Sequence, residues 1–423
     1  MRLRFLRETR YRVAIGAVAA LGALALVQHW LADRRPVALQ LRAAQEFLVT
    51  SSADDGPGSL REAIFAADSA QGRARIVLRP DVIVLRSPLP PLVNPSGIVV
   101  EVADAKTEID ARALAAGPIF DVDAPNSVIS GVKMLHAPEQ AVLLRADAFR
   151  LVGATIVDCD EGLHVADNVD NLIVESTRFE NNRLGVQLES TSSGIILRGN
   201  RFVGHRDAAV WAVRGKPLDD ADVRGATLSG NYFEDDRMSL VLGNARATVE
   251  NNEFVKAREV AVFLIGQGAV VRGNRIRSGS GIGVFADATQ GTLIEANEFD
   301  HNRALAVLVR SSRGALVRKN RVYDNGYGIG FVLNERGNPN VAADNTLLTQ
   351  QFDGIVVIGD SPVIRRNVVL NNRSAGLRIL TFSPHTGPRI AANPFLDNNT
   401  FGGNTLNEPV RGEYRATVAE TVR

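Results

Sequence analysis

The sequence predicts an all-β protein built as a parallel β-solenoid, in which short strands stack into sheets along a coil. Three observations support this fold class. Segments of 23 residues align without gaps from Leu172 onward, apolar and polar residues alternate over short stretches, and glycine recurs between those stretches. Helices would need longer stretches with a 3.6-residue period, which argues against a helical solenoid. The repeat predicts about 11–12 coils.

The first 45 residues precede the repeat and carry a membrane-targeting pattern. A basic tail over residues 1–12 is followed by an uncharged apolar run over residues 13–32, which is long enough to span a bilayer as a transmembrane helix. The positive-inside rule places the tail in the cytoplasm of a bacterium and the chain from the linker (33–45) onward in the periplasm. The alternative is a signal peptide cleaved at Ala23-Leu24-Ala25, which would release the protein. Both interpretations export the remaining residues.

Residues 46–70 are predicted to cap the solenoid, because an open first coil would expose unpaired backbone groups. Ser59 followed by Glu62 forms a capping-box pattern that opens a short amphipathic helix. The residues expected on its buried side are Leu60, Ala63, Ile64 and Ala67. We therefore expect this helix to cover the N-terminal end of the core.

Residues 71–400 are predicted to form the solenoid and residues 401–423 a closing segment with a tail. In each repeat an apolar run leads to Asn, then one residue, then usually Phe, Ile or Val, and a second run of the type Gly-Ile-x-Val follows. The recurring asparagines are Asn200, Asn231, Asn252, Asn274, Asn297, Asn320, Asn345 and Asn367. Because an amide both donates and accepts, each Asn can bond its copy on the next coil, and we interpret them as a structural ladder.

The Asn-x-Phe and Gly-Ile-x-Val elements resemble the right-handed parallel β-helix of the pectate-lyase-like superfamily over roughly residues 45 to 400. The string Gly-Pro-Gly-Ser-Leu-Arg-Glu-Ala-Ile is similar to an N-terminal motif of many exported bacterial β-helix proteins. The resemblance implies three sheets. The first contains the Gly-Ile-x-Val strands, the second the strands before Asn, and the third the Asn-x-Phe strands. It also implies that the exposed face of the first sheet is a groove for a polysaccharide.

Alternation predicts which side chains line that face. The expected outward residues are His164, Gln187, Trp211, Val241, Phe263, Gly283, Leu308, Gly330, Val356 and Arg378. An exposed aromatic ring such as Trp211 can stack on a sugar. The alternative is an apolar stripe that packs under a loop or against a protein partner, formed by Val241, Phe263, Leu308 and Val356.

The turn that leads into the first sheet carries acidic, His and Arg side chains in register. The candidate catalytic residues are Asp300, His301, Asp324, Asp235, His205 and Arg303. Stacking would place Asp300 and Asp324 about 5 Å apart, near the separation in retaining glycosidases, although any β-helix gives that spacing. A lyase or epimerase would instead use His as a base and Arg to neutralise a uronate. The alternative is a solvated ladder of acids and arginines.

Aromatic rings and cations near the groove supply the candidate substrate contacts. They are Trp211, Arg214, Arg237, Phe263, Arg310 and Tyr327. Arg214 opens a long excursion over residues 214–225, and loops of this kind build the binding rim of many solenoids. A surface loop without function is the alternative.

Composition limits the remaining functions. The 48 basic and 47 acidic side chains give no net field for nucleic acid. One Cys, six His and three Met predict neither a metal site nor a cofactor, and a Ca²⁺ site has no three-carboxylate cluster to support it. The fold also resembles periplasmic β-helix proteins that help to mature the copper site of nitrous oxide reductase, but these few side chains argue against copper handling.

The resemblance does not extend to known catalytic motifs. Mannuronan epimerases carry Asp-Pro-His-Asp, whereas this chain has Ser383-Pro384-His385-Thr386, and the Gly-His-Gly element of polygalacturonases is missing. Two functions follow. The first is an exported protein that binds or processes a polysaccharide, expected to be acidic, as a lyase, epimerase or hydrolase. The second is a non-catalytic scaffold or binding module in the cell envelope or in exopolysaccharide assembly.

Overall fold

The structure, a computed structural model, describes residues 45–103, 107–189, 192–213, 225–243, 246–335 and 337–415. The predicted basic tail and transmembrane segment lie outside these ranges, as do the linker up to residue 44 and Arg214. In the described ranges, no helix is both long enough and apolar enough to cross a bilayer.

Three long parallel sheets wind around one core, as the sequence predicts. The 13 strands of the first sheet are Phe120–Val122, Gln140–Leu144, Glu161–Val165, Leu184–Leu188, Ala208–Ala212, Met238–Gly243, Val260–Gln267, Ile282–Gln290, Leu305–Arg310, Tyr327–Val332, Ile355–Ile358, Leu377–Ser383 and Val410–Arg415. The 15 strands of the second sheet are Gln45–Val49, Ala74–Leu78, Ile98–Val102, Val128–Ser130, Arg150–Val152, Ile173–Glu175, Ile196–Arg198, Thr227–Ser229, Thr248–Glu250, Val270–Arg272, Leu293–Glu295, Leu316–Arg318, Val341–Ala343, Val363–Arg365 and Phe395–Asp397. The 14 strands of the third sheet are Val82–Val84, Glu108–Asp110, Lys133–Leu135, Thr155–Val157, Arg178–Glu180, Arg201–Val203, Tyr232–Glu234, Glu253–Val255, Arg275–Arg277, Glu298–Asp300, Arg321–Tyr323, Thr346–Leu348, Val368–Leu370 and Thr400–Gly402.

The solenoid has about 13 turns, more than the 11–12 that the sequence predicts. The additional coils lie at the ends, where Gln45–Val49 pairs with Ala74–Leu78 and Val410–Arg415 pairs with Leu377–Ser383. The sequences of these two strands, QEFLV and VRGEYR, do not follow the alternating pattern of the repeat. Backbone pairing in a parallel sheet does not require that pattern, so the repeat underestimates the number of coils.

The interior explains the Asn-x-Phe element. Each ladder Asn after Asn200 accepts, through its side-chain oxygen, the backbone N–H of the Asn one coil before it, as Asn297 does from Asn274 at 3.0 Å. The next inward position forms a stack of Phe rings, in which Phe202, Phe233 and Phe254 lie 4.9 and 4.7 Å apart. Buried amides are thus paired, and stacked rings fill the core.

The N-terminal cap is confirmed as a helix over Leu60–Asp68. The Ser59 hydroxyl accepts a hydrogen bond from the Glu62 N–H at 3.2 Å, and Glu62 accepts one from the Gly58 N–H at 2.5 Å. The four residues expected on the buried side are buried. The helix therefore covers the first coil as the capping pattern predicts.

Candidate functional site

The central outward column of the first sheet runs the length of the molecule. It contains Leu143, His164, Gln187, Trp211, Val241, Phe263, Phe285, Leu308, Gly330, Val356, Arg378 and Val410. The prediction of Gly283 in this column is wrong, because the register places Phe285 there. A Cβ on Gly283 would lie 2.8 Å from the Phe299 ring, so this residue faces the core. The rule that successive residues alternate between core and solvent fails at the start of the first-sheet strands.

The N-terminal part of this face is a cluster of polar side chains, which we call the polar end. It consists of Gln140, Glu161, His164, Arg183, Gln187 and Glu189. His164 Nδ1 lies 2.7 Å from Glu161 Oε2, and its Nε2 lies 3.9 Å from Glu189 Oε1. The imidazole therefore sits between two carboxylates that come from adjacent coils.

Glu161 is the most enclosed member of the polar end, with a side chain 9% exposed. Burial by itself would raise the pKa of Glu161. The hydrogen bond and charge of His164, with support from Gln140 and Arg183, outweigh burial and lower the pKa. Glu161 is thus ionised at neutral pH and holds the Nδ1 side of His164, while Nε2 faces Glu189.

Arg183 ties the polar end to the turn that precedes it. Its guanidinium lies 2.8 Å from Asp160, 2.9 Å from Glu161 and 3.3 Å from Asp207. One cation is therefore shared by three carboxylates, and Glu189 adds a fourth carboxylate to the same surface. The polar end is acidic as a whole.

Beyond the polar end the face becomes apolar. Trp211 is half-buried, donates its indole N–H to the Val213 carbonyl at 3.2 Å, and packs on a satellite cluster outside the core. Phe263 belongs to the same cluster, and its ring lies 5.1 Å from that of Phe285. The predicted apolar stripe is thus continuous with Trp211, which leaves an aromatic ring beside the polar end.

The C-terminal part of the face is a groove of about 540 Å³, which we call the apolar groove. It is lined by Leu305, Leu308, Arg310, Tyr327, Gly330, Val332, Leu333, Asp353, Val356, Ile358, Arg378, Leu380, Phe382 and Tyr414. Two predicted contact residues, Arg310 and Tyr327, are in this lining. Arg310 pairs with Asp287 through two nitrogens at 2.9 and 2.6 Å, and Tyr327 stacks on Phe352 at 4.8 Å.

Three predicted catalytic residues lie together, but beside the third sheet. His301 Nδ1 is 3.2 Å from Asp300 Oδ1, and its Nε2 is 4.0 Å from Asp324 Oδ2. The imidazole thus separates the two carboxylates. Asp300 ends a third-sheet strand and also accepts a hydrogen bond from the Tyr323 hydroxyl at 3.2 Å. Burial, together with Glu298 and Asp300, raises the pKa of Tyr323 to about 12.

The backbone conformation of the turn helps to explain which residue types occupy it. Asp235, His301 and Asp324 have φ values of 55°, 55° and 56°, in the left-handed region. Asp, Asn, His and Gly tolerate this conformation better than other residues. The turn geometry therefore favours these residue types, although Lys256, Ser278 and Thr349 adopt the same conformation in other coils.

His205 is fully buried in a second ladder, at the turn between the third and first sheets. Most positions of this ladder that form a side-chain hydrogen bond are occupied by Asn or Gln, such as Asn302, Asn325 and Gln350. His205 Nδ1 lies 2.7 Å from Asp236 Oδ1, and both side chains are 0% exposed. Solvent and substrate do not reach His205 in this arrangement.

The other predicted residues are dispersed. Arg303 is exposed in the turn after His301, and Asp235 lies 3.7 Å from Arg258 on the surface. Arg237 lies 2.8 Å from Glu259 and 3.8 Å from Asp207, which places it near the polar end. Among the candidates that the structure describes, Arg237 and Trp211 lie close to that cluster.

The sequence analysis did not predict the polar end as a candidate site. Glu161, His164, Arg183 and Glu189 are separated by up to 28 positions, and nothing in their spacing shows that one imidazole joins them. A usable signal was the outward His164 next to the Asp160-Glu161 pair. The strand register converts that local pattern into a cluster.

The parts of the chain that the structure describes contain no group of three His, Cys, Asp or Glu side chains placed to hold a metal ion. Cys159 is buried on the second ladder, where its sulfur accepts the Ala137 N–H at 3.3 Å, and burial raises the pKa of its thiol to about 12. It is therefore a protonated interior residue at neutral pH.

Two family descriptions match the sequence. "Right handed beta helix region" matches residues 218–361 and 292–410, and "Periplasmic copper-binding protein (NosD)" matches residues 118–217. No curated protein matches the chain.

Solved β-helix structures are similar in fold. The catalytic unit of a GH87 α-1,3-glucanase from Streptomyces thermodiastaticus is 15% identical with a TM-score of 0.51, covering 86% of this chain and 69% of its own. The A-module of an Azotobacter vinelandii mannuronan C-5 epimerase is 11% identical with a TM-score of 0.48, covering 88% and 100%. A mannuronic-acid-specific family 6 lyase from human gut microbiota is 12% identical with a TM-score of 0.46, covering 83% and 82%. The match to the right-handed β-helix description and the three parallel sheets identify this chain as a right-handed parallel β-helix repeat protein, the architecture that the resemblance to the pectate-lyase-like superfamily implied.

Proposed function

We propose that this chain is an exported protein that binds a polysaccharide at the polar end of its first sheet. The observation that carries the proposal is the His164 imidazole held between Glu161 and Glu189, with Gln187 between His164 and Trp211 in the same column. Hydrogen-bonding side chains beside an aromatic ring suit a sugar, which has polar edges and an apolar face. Stacked coils repeat such positions along a line, as a linear polymer requires.

The charge of the polar end favours a neutral or amino-sugar polymer over an acidic one. Asp160, Glu161 and Asp207 already share Arg183, so that guanidinium is not free to neutralise a uronate. A polyanion would meet the surplus carboxylates and be repelled. We therefore expect affinity to decrease from amino-sugar to neutral to uronate polymers.

Export is supported by the basic tail and apolar run over residues 1–32 and by the match of residues 118–217 to a family described as periplasmic. An inner-membrane anchor at residues 13–32 would hold the solenoid in the periplasm, whereas cleavage would release it. Mass spectrometry of the mature N-terminus in the native host distinguishes these two states.

Catalysis is a second candidate function, favoured by one feature of the same cluster. Glu161 orients His164 as a carboxylate orients a general base, which leaves Nε2 to accept a proton from a bound substrate. Because its pKa is lowered, Glu161 is ionised and is not available as the proton donor of a two-carboxylate hydrolase. His164→Ala would then abolish turnover while leaving binding measurable.

The test is NMR of chitosan, neutral glucans and alginate incubated with the full chain. Binding broadens the polymer lines, and catalysis produces new end-group signals. We expect Trp211→Ala to weaken binding about tenfold or more, because truncation of an aromatic anchor removes its buried contact. Asp235→Asn, on the exposed turn, serves as the control.

Lack of binding to all three polymer classes would overturn the proposal and favour the scaffold alternative. Equal binding by the Trp211→Ala variant would move the site away from the polar end. Tighter binding to alginate than to chitosan would contradict the charge argument.

A further inference from the structure

The two ends of the solenoid differ in how they are closed. The capping helix covers the first coil, whereas the last coil, formed by Phe395–Asp397, Thr400–Gly402 and Val410–Arg415, ends all three sheets. Each of these strands is the terminal strand of its sheet, so one edge of its backbone has no strand partner among the described residues. Such edges pair with another chain unless something blocks them.

The interior positions of the last coil are apolar on two sheets. Leu396 lies in register with Ile364, and Phe401 with Val369, and both of these partners are fully buried. With no further coil among the described residues, Leu396 is 37% exposed, and Phe395 beside it is 65% exposed. The last coil therefore leaves core-type side chains in water, and covering them would be favourable.

The first-sheet strand of the last coil carries opposite charges at its inward positions. Arg411 lies in register with the buried Ile379, and Glu413 is two residues further along the same face. Glu413 lies 3.1 Å from Arg389, whereas Arg411 is exposed and has no ion pair among the described residues. Inward charges of one sign would keep a second copy away from this edge. Here both signs are present.

The spacing of these charges makes the strand complementary to itself. In an antiparallel copy centred on Gly412, Arg411 lies opposite Glu413 of the second copy, and Val410 lies opposite Tyr414. A shift of the centre to Glu413 would set Arg411 against Arg415, two like charges. The sequence of the strand therefore selects one register.

The same symmetry suits the other two sheets of the last coil. A twofold axis through Gly412 and normal to the first sheet exchanges the second and third sheets of the two copies. Phe395–Asp397 would then meet Thr400–Gly402 of the second copy, which brings Leu396 to Phe401. One operation thus pairs all three edges and covers the exposed apolar side chains.

We propose that the last coil is a self-association surface, through which two copies of this chain join end to end about a twofold axis at Gly412. The two first sheets then form one continuous sheet with a polar end at each extremity, roughly 100 Å apart at the ordinary strand spacing. Two sites on one particle would hold a long polymer more tightly than one site. The interface itself does not rest on the polysaccharide proposal, because no polar-end residue takes part in it.

The test is sedimentation velocity of the detergent-solubilised full chain over a range of concentrations. We expect the parent to dimerise, and Arg411→Glu or Glu413→Arg alone to weaken the dimer about tenfold or more, because each change sets like charges opposite each other. An equimolar mixture of the two variants has opposite charges at both pairs and should dimerise as the parent does. Association through residues 13–32 would not respond to these changes.

A cross-link tests the position of the axis. Opposite Cα atoms of an antiparallel pair lie about 4.5–5.5 Å apart, within the range of a disulfide, so oxidation of the Gly412→Cys variant should link two copies. A Cβ at this position would meet the end of the Leu380 side chain at 3.1 Å. Ser280→Cys, at an exposed position away from the last coil, is the matched control and should stay unlinked. Cys159 is buried and does not interfere.

Three results would overturn the inference. The first is a parent that stays monomeric at every concentration, and the second is a dimer that persists in both charge variants, which would assign association to another surface. The third is a dimer that forms only after removal of residues 416–423, which would show that these residues cover the last coil. Dimers in the mixture also verify that both charge variants fold. Polymer binding by either variant alone would remain, so the two proposals fail independently.

Discussion

The polar end and the apolar groove occupy the same face of the same sheet, yet their chemistry is opposite. Glu161 and Tyr327 belong to one outward column, and His164 and Gly330 to the next. At one end these positions hold an imidazole between carboxylates, and at the other they leave a notch between aliphatic side chains. Backbone pairing is the same in both regions. A parallel β-helix therefore holds its outward positions at a constant spacing and leaves their chemistry free to vary along the axis.

The difference also concerns what stabilises each region. In the polar end, Glu161 is nearly enclosed, and its hydrogen bonds to His164 and Arg183 act where water screens them little. At the groove, Arg310 of the Arg310–Asp287 pair is 48% exposed, whereas Asp353 of the Arg378–Asp353 pair is 6% exposed. Charge should thus matter to stability at Glu161 and at Asp353, and much less at the Arg310–Asp287 pair.

The largest effect is expected from a substitution in the interior ladder, because both regions depend on that scaffold. Asn297→Leu removes the acceptor of the Asn274 N–H and the donor to the Val271 carbonyl, both buried. We expect unfolding to become easier by about 2–5 kcal/mol, since each orphaned buried group costs free energy. Urea denaturation followed by circular dichroism measures it. Gln351→Leu, an exposed amide, is the control, and an equal loss there would contradict the ladder argument.

An intermediate effect would sharpen the comparison at the polar end. The pKa of Glu161 is lowered from its ordinary value of 4.5, so its contribution to stability is complete above pH 4.5 and declines as the pH falls through the folded-state value. We expect Glu161→Gln to cost about 1–3 kcal/mol at neutral pH and progressively less in acid.

The measurement is urea denaturation of parent and variant at several pH values between neutral and acid. Glu139→Gln, an exposed glutamate in the preceding coil, should give a curve parallel to that of the parent. A difference between the parent and the Glu161→Gln variant that stays constant with pH would show that burial, and not the charge of Glu161, determines the loss.

The smallest effect is expected at the groove. Arg310→Ala removes an exposed ion pair and the guanidinium that lies 4.9 Å from the centre of the Phe285 ring. Such contacts contribute less than about 1 kcal/mol when they are exposed to water. Differential scanning calorimetry of parent and variant would show nearly equal melting. A loss as large as that of Glu161→Gln would remove the distinction between the enclosed Glu161 and the more exposed Arg310–Asp287 pair.

Much of the fold was predictable because its signals are local and repeated. The Asn of each repeat and the apolar residue that follows it, often Phe, are two positions apart in sequence, so the ladder and the ring stack follow from one motif applied many times. The capping helix was predictable for the same reason, since Ser59 and Glu62 are three residues apart. The end strands were missed because their own sequences do not follow the pattern of the repeat, although they pair in the sheets like the other strands.

The sequence predicted on which sheet the candidate site lies, but not which residues form it. The sequence located the first sheet and most of its outward column, but it favoured turn residues in the left-handed conformation, such as His301, whose type that conformation favours. It also treated His205 as accessible, whereas that side chain replaces an amide inside a buried ladder. Which polar side chains meet depends on the strand register and on the direction in which each strand enters the sheet.

By itself, the sequence determined the solenoid, its period and the identity of its three sheets, because hydrophobic alternation and a repeated amide act over a few residues. The tertiary structure decided that Glu161, His164 and Glu189 form one cluster and that Gly330 opens a groove between Leu308 and Val356. The physical reason is that these contacts join residues of different coils, about one repeat apart in the chain. Only stacking brings them within reach of a hydrogen bond or of van der Waals contact.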